Sequence, residues 1–257
     1  MALRILRGIA KAILYFVLVS VLLVIVLRFL PVTYTATMLM DEHSVTRDWE
    51  PLSRIDRNMV SAVIAAEDSK FCQHDGFDVE AIEEALEDNA EGGRRRGGST
   101  ITQQTAKNVF FWNGGGYVRK AGEAYFALLI DFVWGKTRVM EVYLNVAEWG
   151  DGIFGVESAA QARFGKAAKD LTRPEAALLA AVLPSPNKWR LDPPTNFVRG
   201  RAGTLQQRMS VIRNSGYASC VEGMLAVKAI PPRKEKSAPQ PDQIDKPAQD
   251  ESDLGPS

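Results

Sequence analysis

Cysteine, net charge and the common hydrolase and nucleotide signatures are scarce or missing in this sequence, and each shortage excludes something. Two cysteines in 257 residues, Cys72 and Cys220, cannot build a disulfide scaffold, and no CxxC pair offers a metal knuckle. Lys+Arg and Asp+Glu number 31 each, so the formal net charge is zero. That argues against a free nucleic-acid binder, because a footprint on phosphates needs a basic surface. HExxH and GxSxG are absent, which removes the metalloprotease and α/β-hydrolase readings. The P-loop spacing GxxxxGK[ST] is also absent, and nucleoside triphosphate binding goes with it. What the chain does have is 46% hydrophobic and 24% charged residues, a balance that excludes disorder throughout and suits one or two domains.

The neutral total hides three unlike regions. Residues 1–30 carry Arg4, Arg7, Lys11 and Arg28 and no acid. Within them Ala12 to Leu27 read AILYFVLVSVLLVIVL, and the apolar run from Ile9 to Leu30 reaches the length of about 20 residues that a bilayer-spanning helix needs. The run is longer than the apolar part of a usual signal peptide, and no small-x-small cleavage site follows Leu30, so a retained anchor is expected. Arg4, Arg7 and Lys11 precede it, which keeps the N-terminus in the cytoplasm and places everything after Pro31 outside. In an oxidising space Cys72 and Cys220 have the chemistry to pair, yet nothing in the sequence shows that they meet. At the other end, residues 228–257 are rich in proline and poor in large apolar side chains, which predicts a disordered tail. Residues 31–227 remain for one domain with a sizeable core.

Helical periodicity dominates that domain. Asp56 is placed to cap a helix in which Met59, Val60, Val63 and Ile64 share a face and which runs to Glu67. Val79, Ile82 and Leu86 mark a second, ending before the loop GGRRRGG at Gly92 to Gly98. Thr100 and Gln103 form a capping-box pair opening a third through Val109. Val118 to Val133 and Thr137 to Ala147 predict two more, Glu157 to Lys166 another after a Gly-rich turn, and Thr172, Pro174 and Glu175 start one that Pro184 stops. Few segments alternate as strands do, so the expected fold class is mainly α.

Several stretches have the composition of a site. In EDSKFCQHDGFD (67–78), two adjacent acids end an apolar helix and an aromatic, a His and a Gly follow. A carboxylate held there against a partly dry wall has its pKa raised towards that of a useful general base, although an ordinary solvated helix end reads the same way. GGSTITQQTAKN (97–108) leads glycines into a helix N-terminus that carries hydroxyls and amides, as anion sites do and as many plain loop-to-helix junctions do. In RKAGE (119–123), Arg119 and Glu123 are four apart on a helix, which taken alone is a surface ion pair. KTRVMEVYLN (136–145), EWGDGIFG (148–155) and ESAAQARFGK (157–166) read as core helix, turn and helix. Together the two glutamates and the cations suit glycosyl transfer from a sugar diphosphate, which needs a base for the acceptor hydroxyl and positive charge where the diphosphate departs.

The stretches EDSKFCQHDGFD, GGSTITQQTAKN, RKAGE, KTRVMEVYLN and FGVESAAQARFGK stand in the order, and at about the spacing, of the five motifs of family 51 glycosyltransferases. The chain resembles that family, the peptidoglycan glycosyltransferases, over roughly residues 55–214. With no ordered SxxK, SxN and KTG set and no room for a second domain, it resembles the monofunctional kind. The resemblance implies a lysozyme-like α domain with a small membrane-facing subdomain, polymerising lipid II into β-1,4-linked glycan with inversion and release of undecaprenyl diphosphate. It implies Glu67 as the base for the acceptor's 4-hydroxyl. Glu123 would assist at the donor diphosphate, through a divalent cation (Mg2+ or Mn2+) or by orienting neighbouring cations. Lys107, Arg119 and Lys120 would counter the diphosphate charge, and Asp68, His74, Ser99, Gln103 and Gln104 would shape the substrate cleft. The partners implied are lipid II, the growing glycan chain, the membrane and other cell-wall synthesis or division proteins, at the inner membrane of a bacterium with the domain in the periplasm.

One position departs from the family's pattern: Gly115 stands where members often carry an Arg, and Arg94, Arg95 and Arg96 are candidates to replace its charge. Two other functions fit parts of the sequence. A glycan-cleaving lysozyme-like enzyme also needs a catalytic Glu in a helical domain, but its neutral substrate has no use for the cation set. A non-catalytic scaffold has no use for Glu67 at all.

Overall fold

The computed structural model describes residues 1–90, 97–112 and 114–223. Arg94, Arg95 and Arg96 and the proline-rich stretch 228–257 lie outside the described residues. The first element, α1 (Ala2–Phe29), is the apolar helix expected of an anchor: 28 residues rising about 1.5 Å each give it about 42 Å, enough to cross a bilayer. Most of its apolar side chains, among them Ile9, Leu14, Phe16 and Leu22, are exposed. A short helix, α2 (Ala36–Leu39), and a two-residue strand, β1 (Thr46–Arg47), lead into the domain.

The helices that follow form where the caps and periodicity place them. Asp56 accepts from Asn58 N at 2.8 Å and opens α3 (Arg57–Glu67), whose Met59, Val60, Val63 and Ile64 are fully buried. Asp78 accepts from Ala81 N at 3.0 Å at the start of α4 (Val79–Ala90). Thr100 and Gln103 close the capping box of α5 (Ile101–Phe110). The two helices expected over 118–133 and 137–147 are one kinked element, α6 (Gly116–Val146). The kink falls at Gly135, whose φ of 70° a residue with a Cβ rarely adopts. Then come β2 (Glu148–Gly150), β3 (Ile153–Phe154), α7 (Val156–Phe164), α8 (Arg173–Val182) with the Thr172–Glu175 capping box, α9 (Asn196–Asn214) and α10 (Ser219–Glu222). The strands form a small sheet in the order β1-β3-β2, parallel then antiparallel. Strands of two or three residues show no alternation to read, so the sequence did not announce them.

The core has two parts joined by α6. In one, α3, α8 and α9 pack on one another; in the other, α5 lies along α6. Beyond the kink α6 is almost wholly buried, with Val139, Met140, Val142, Tyr143 and Leu144 in the core beside Trp149 and Phe154 of the sheet. Polar side chains of that segment fasten the chain leading to α3. Asn145 accepts from Glu50 N and donates to Glu50 O and Glu141 O, each at 2.8 Å, and Glu141 accepts from Leu52 N at 2.9 Å. Buried amides and carboxylates are retained in a core when fully partnered in this way.

Before the kink, α6 lies against α1. The hydroxyls of Ser20 and Tyr125 are 2.6 Å apart, Trp134 Nε1 donates to Val24 O at 2.7 Å, and Arg138 donates to the carbonyls of Leu27 and Leu30 at the end of α1. Leu128 and Phe132 remain exposed on this half of α6. Cys72 and Cys220 form a disulfide with Cα atoms 5.6 Å apart, tying the loop after α3 to α10. The pairing left open by the sequence is thereby answered.

Candidate active site

Glu67 is the last residue of α3 and faces a cavity of about 790 Å3 that Gln104, Ser99 and Arg201 also line. Gln104, one turn into α5, donates from Nε2 to Glu67 Oε2 at 2.9 Å, and the buried Tyr143 hydroxyl donates to Gln104 Oε1 at 3.4 Å. The other carboxylate oxygen, Oε1, is buried and has no hydrogen-bond partner among the described residues. Burial pushes the Glu67 carboxyl above its ordinary value and the neighbouring Asp68 adds to this, against the Gln104 hydrogen bond and the charge of Arg201. A carboxylate fixed on one oxygen, unpartnered on the other and raised by burial has the chemistry of a general base.

Asp68 and His74 do a different job. Asp68 is buried, accepts from Ile101 N at 3.0 Å and lies 3.0 Å from His74 Nε2. The pair fixes the loop after α3 to the N-terminus of α5, and so sets where Gln104 stands relative to Glu67. Gln103 is also turned inward, accepting from Thr100 N at 2.9 Å within the capping box. Ser99 accepts from Lys120 Nζ at 3.3 Å and thus links the loop before α5 to α6.

The cations come from α5 and the first turns of α6. Glu123 is buried and ion-paired on one oxygen with Arg119 and on the other with Lys120, 3.2 Å from its Nζ. Arg119 folds back over Gly115 and donates from Nε to Gly114 O. Gly122 allows α6 to approach α5 this closely, since a Cβ there would stand 2.6 Å from Phe111 Cζ. Lys107 is pushed below the ordinary lysine value by burial and by the charge of Arg119, and Lys120 by burial and by Arg119 and Lys107. Three cations thus lie close enough to lower one another's values, and Glu123 pairs with two of them, Arg119 and Lys120.

Glu123 therefore orients cations. Among the described residues no group of three His, Cys, Asp or Glu side chains is arranged to hold a metal ion.

Sequence reasoning missed three residues at the cleft. Tyr143 lay inside a stretch read as core, Arg201 sits on α9 with no motif around it, and Glu148 follows α6. Glu148 lines the same cavity as Lys107 and Gln104, accepts from Asn187 Nδ2 at 2.7 Å, and has its carboxyl raised by burial. The spacing of Arg201 and Arg208, seven residues apart on a helix, was the one signal available.

Residues 34–212 match the family model described as transglycosylase. The chain is 52% identical over 177 residues to the biosynthetic peptidoglycan transglycosylase of Rhodospirillum centenum, covering 69% of this chain and 77% of that protein. To the proteins of the same name from Pseudomonas syringae pv. syringae and Caulobacter vibrioides it is 46% identical, over 83% and 85% of this chain and 94% and 97% of theirs.

Proposed function

This chain belongs to the transglycosylase family and acts in peptidoglycan synthesis for the cell wall, and from that premise we propose that it polymerises lipid II with Glu67 as the general base. The observation that carries this reading is the state of Glu67: one oxygen held by Gln104, the other buried and without a partner among the described residues, with Gln104 shared with the cavity of Lys107 and Ser99 bonded to Lys120. The acceptor's 4-hydroxyl donates its proton to Glu67 Oε1 as its oxygen attacks the donor's anomeric carbon from the face opposite the departing diphosphate. The C1–O bond breaks with inversion, and the electron pair leaves with undecaprenyl diphosphate, whose added charge the cations stabilise. Glu123 keeps Arg119 and Lys120 turned towards that charge. Both its oxygens are taken up by cations, so a metal ion held by protein ligands does not fit here and no step passes through one.

The positive N-terminal flank of α1 and the Cys72–Cys220 disulfide support one topology. The N-terminus is cytoplasmic and the domain lies in the oxidising space outside the inner membrane, where the headgroups of both lipid substrates reach it. Confining enzyme and substrates to one surface raises their effective concentration.

The test is incubation of the purified full chain with labelled lipid II, resolving polymer from cleavage product on a gel. Wild type is expected to give polymer and Glu67→Gln about 10²–10⁴-fold less, since an amide cannot take the proton and a lost general base costs about that much. Equal polymer from both proteins would overturn the base assignment, and cleavage product in place of polymer would overturn the reaction.

A further inference from the structure

Tyr143 is a polar side chain close to Glu67 to which the reaction as derived gives no task. It stands about two turns past the Gly135 kink of α6 and is 1% exposed. A phenylalanine would fill the same space without a hydroxyl, and a buried hydroxyl is costly unless it finds a partner. Among the described residues the hydroxyl makes one hydrogen bond, the one it donates to Gln104 Oε1 at 3.4 Å. Gln104 in turn donates to Glu67 Oε2 at 2.9 Å. A single chain of hydrogen bonds therefore runs from the core segment of α6, through α5, to the last residue of α3.

The direction of that chain follows from the groups around it. Burial holds the Tyr143 phenol well above its ordinary value, and the charges of Glu67 and Asp68 add to this, so it stays protonated and able to donate. Lys107 and Glu148 line the same cavity of about 180 Å3 as Tyr143 and Gln104. Around Glu67, Asp68 reinforces the effect of burial and Arg201 of α9 opposes it, while Arg208 of α9 lines the same cavity. An amide has its donors on one end and its acceptor on the other. With its oxygen engaged by the Tyr143 hydroxyl, Gln104 offers its nitrogen to Glu67. Turned over, it would set its oxygen against a carboxylate, two acceptors in contact. Donation to the amide oxygen also polarises the amide and strengthens its N–H as a donor.

We propose that Tyr143 is a positioning residue for the reaction: its hydroxyl fixes the Gln104 amide with the nitrogen towards Glu67 and so holds Glu67 in its ionised, proton-accepting form. This rests on the reading of Glu67 as the base. Tyr143 touches no reacting atom and acts only through Gln104. A hydrogen bond to the charged form favours that form, which offsets part of the effect of burial on Glu67. Val142 and Leu144 on either side of Tyr143 are fully buried, so the packing that fixes the phenol also fixes Gln104.

Tyr143→Phe keeps the ring and removes the hydroxyl. The experiment uses the full chain in detergent and reads Glu67 in two ways. One is the acid limb of kcat/KM for lipid II polymerisation. The other needs no turnover: the infrared carboxyl band that wild type shows and Glu67→Gln lacks, titrated against pH. Tyr143→Phe is expected to move both to higher pH by about half a pH unit with KM unchanged, and Gln104→Ala by about one pH unit. In the Gln104→Ala background Tyr143→Phe is expected to add nothing, because its effect passes through the amide. A hydroxyl that serves stability alone would lower the melting temperature and leave both titrations in place, and that result would overturn the proposal. So would a shift that persists in the Gln104→Ala background. An infrared band that moves as expected beside an acid limb that stays in place has a different meaning: the action of Tyr143 on Glu67 stands, and the assignment of Glu67 as the base falls.

Discussion

Glu67 combines two properties that pull against each other, and both have measurable consequences. Its carboxyl is raised by burial, so the neutral form persists to higher pH than for an ordinary carboxyl with a value near 4.5, and the base form is lost as pH falls through the raised value. The acid limb of kcat/KM for lipid II polymerisation is therefore expected above the ordinary carboxylate range. Arg201→Met, which removes a charge that lowers the Glu67 value, is expected to move that limb to higher pH still. A limb at or below the ordinary value would show that another group sets the profile. The same shift has a sign for stability: the neutral carboxyl's contribution is present below the unfolded-state value and lost as pH rises through the folded-state one. At neutral pH the ionised group weakens the fold, and Glu67→Gln is expected to melt no lower than wild type, and higher if Oε1 remains unpartnered. Calorimetry of the two proteins checks this, and a lower melting temperature would mean that the carboxylate has a stabilising partner.

At the level of elements, the site depends on how α5 and α6 meet. The capping box at Thr100 and Gln103 fixes where α5 begins, Asp68 ties that start to the end of α3, and Gly122 lets Phe111 pack into the face of α6 beside Glu123. Gly122→Ala is expected to destabilise the protein by about 1–3 kcal/mol, because the added Cβ overlaps a ring whose space is taken. It is also expected to reduce polymerisation more than the loss of folded protein accounts for, since Arg119, Lys120 and Glu123 shift together. Denaturant unfolding and activity per folded molecule separate the two effects. The stretches KTRVMEVYLN and FGVESAAQARFGK act differently. Glu141 and Asn145 fasten the approach to α3, and Glu157 accepts from Ala168 N at 2.6 Å. These residues support the site from behind and do not touch the cleft. Their spacing was readable, but a motif does not show which of its members face a substrate.

Across the molecule, the Cys72–Cys220 bond closes a separation of 148 residues between the loop after α3 and α10. Closing a loop of that length is worth up to about 5 kcal/mol in the chain-entropy account. Reduction, or Cys72→Ser with Cys220→Ser, is expected to lower the melting temperature by about 10 °C, at the 2–4 °C per kcal/mol usual for a chain of this size. An unchanged melting temperature on reduction would show that the bond carries no stability. The N-terminal helix is likewise part of the protein's architecture: Ser20, Val24, Leu27 and Leu30 all bond to α6, so the anchor is docked on the same helix that carries Arg119, Lys120 and Glu123.

By itself the sequence determined what rests on local order, the long apolar helix from its apolar run and most helix starts from their caps, while Glu67 and the Lys107–Arg119–Lys120 set were singled out by the resemblance of contiguous motifs to those of a family. Helical period and capping involve residues within four positions of one another, and such signals survive in one dimension. Tertiary structure alone decided the continuous, kinked α6, the small sheet, the disulfide, the inward turn of Asp68, His74 and Gln103, and the facing of Arg201 and Arg208 towards Glu67. Each of these depends on groups that are far apart in the chain and adjacent only after packing. A cation on α9 becomes part of a site begun on α3 because the two helices bury their apolar faces against each other.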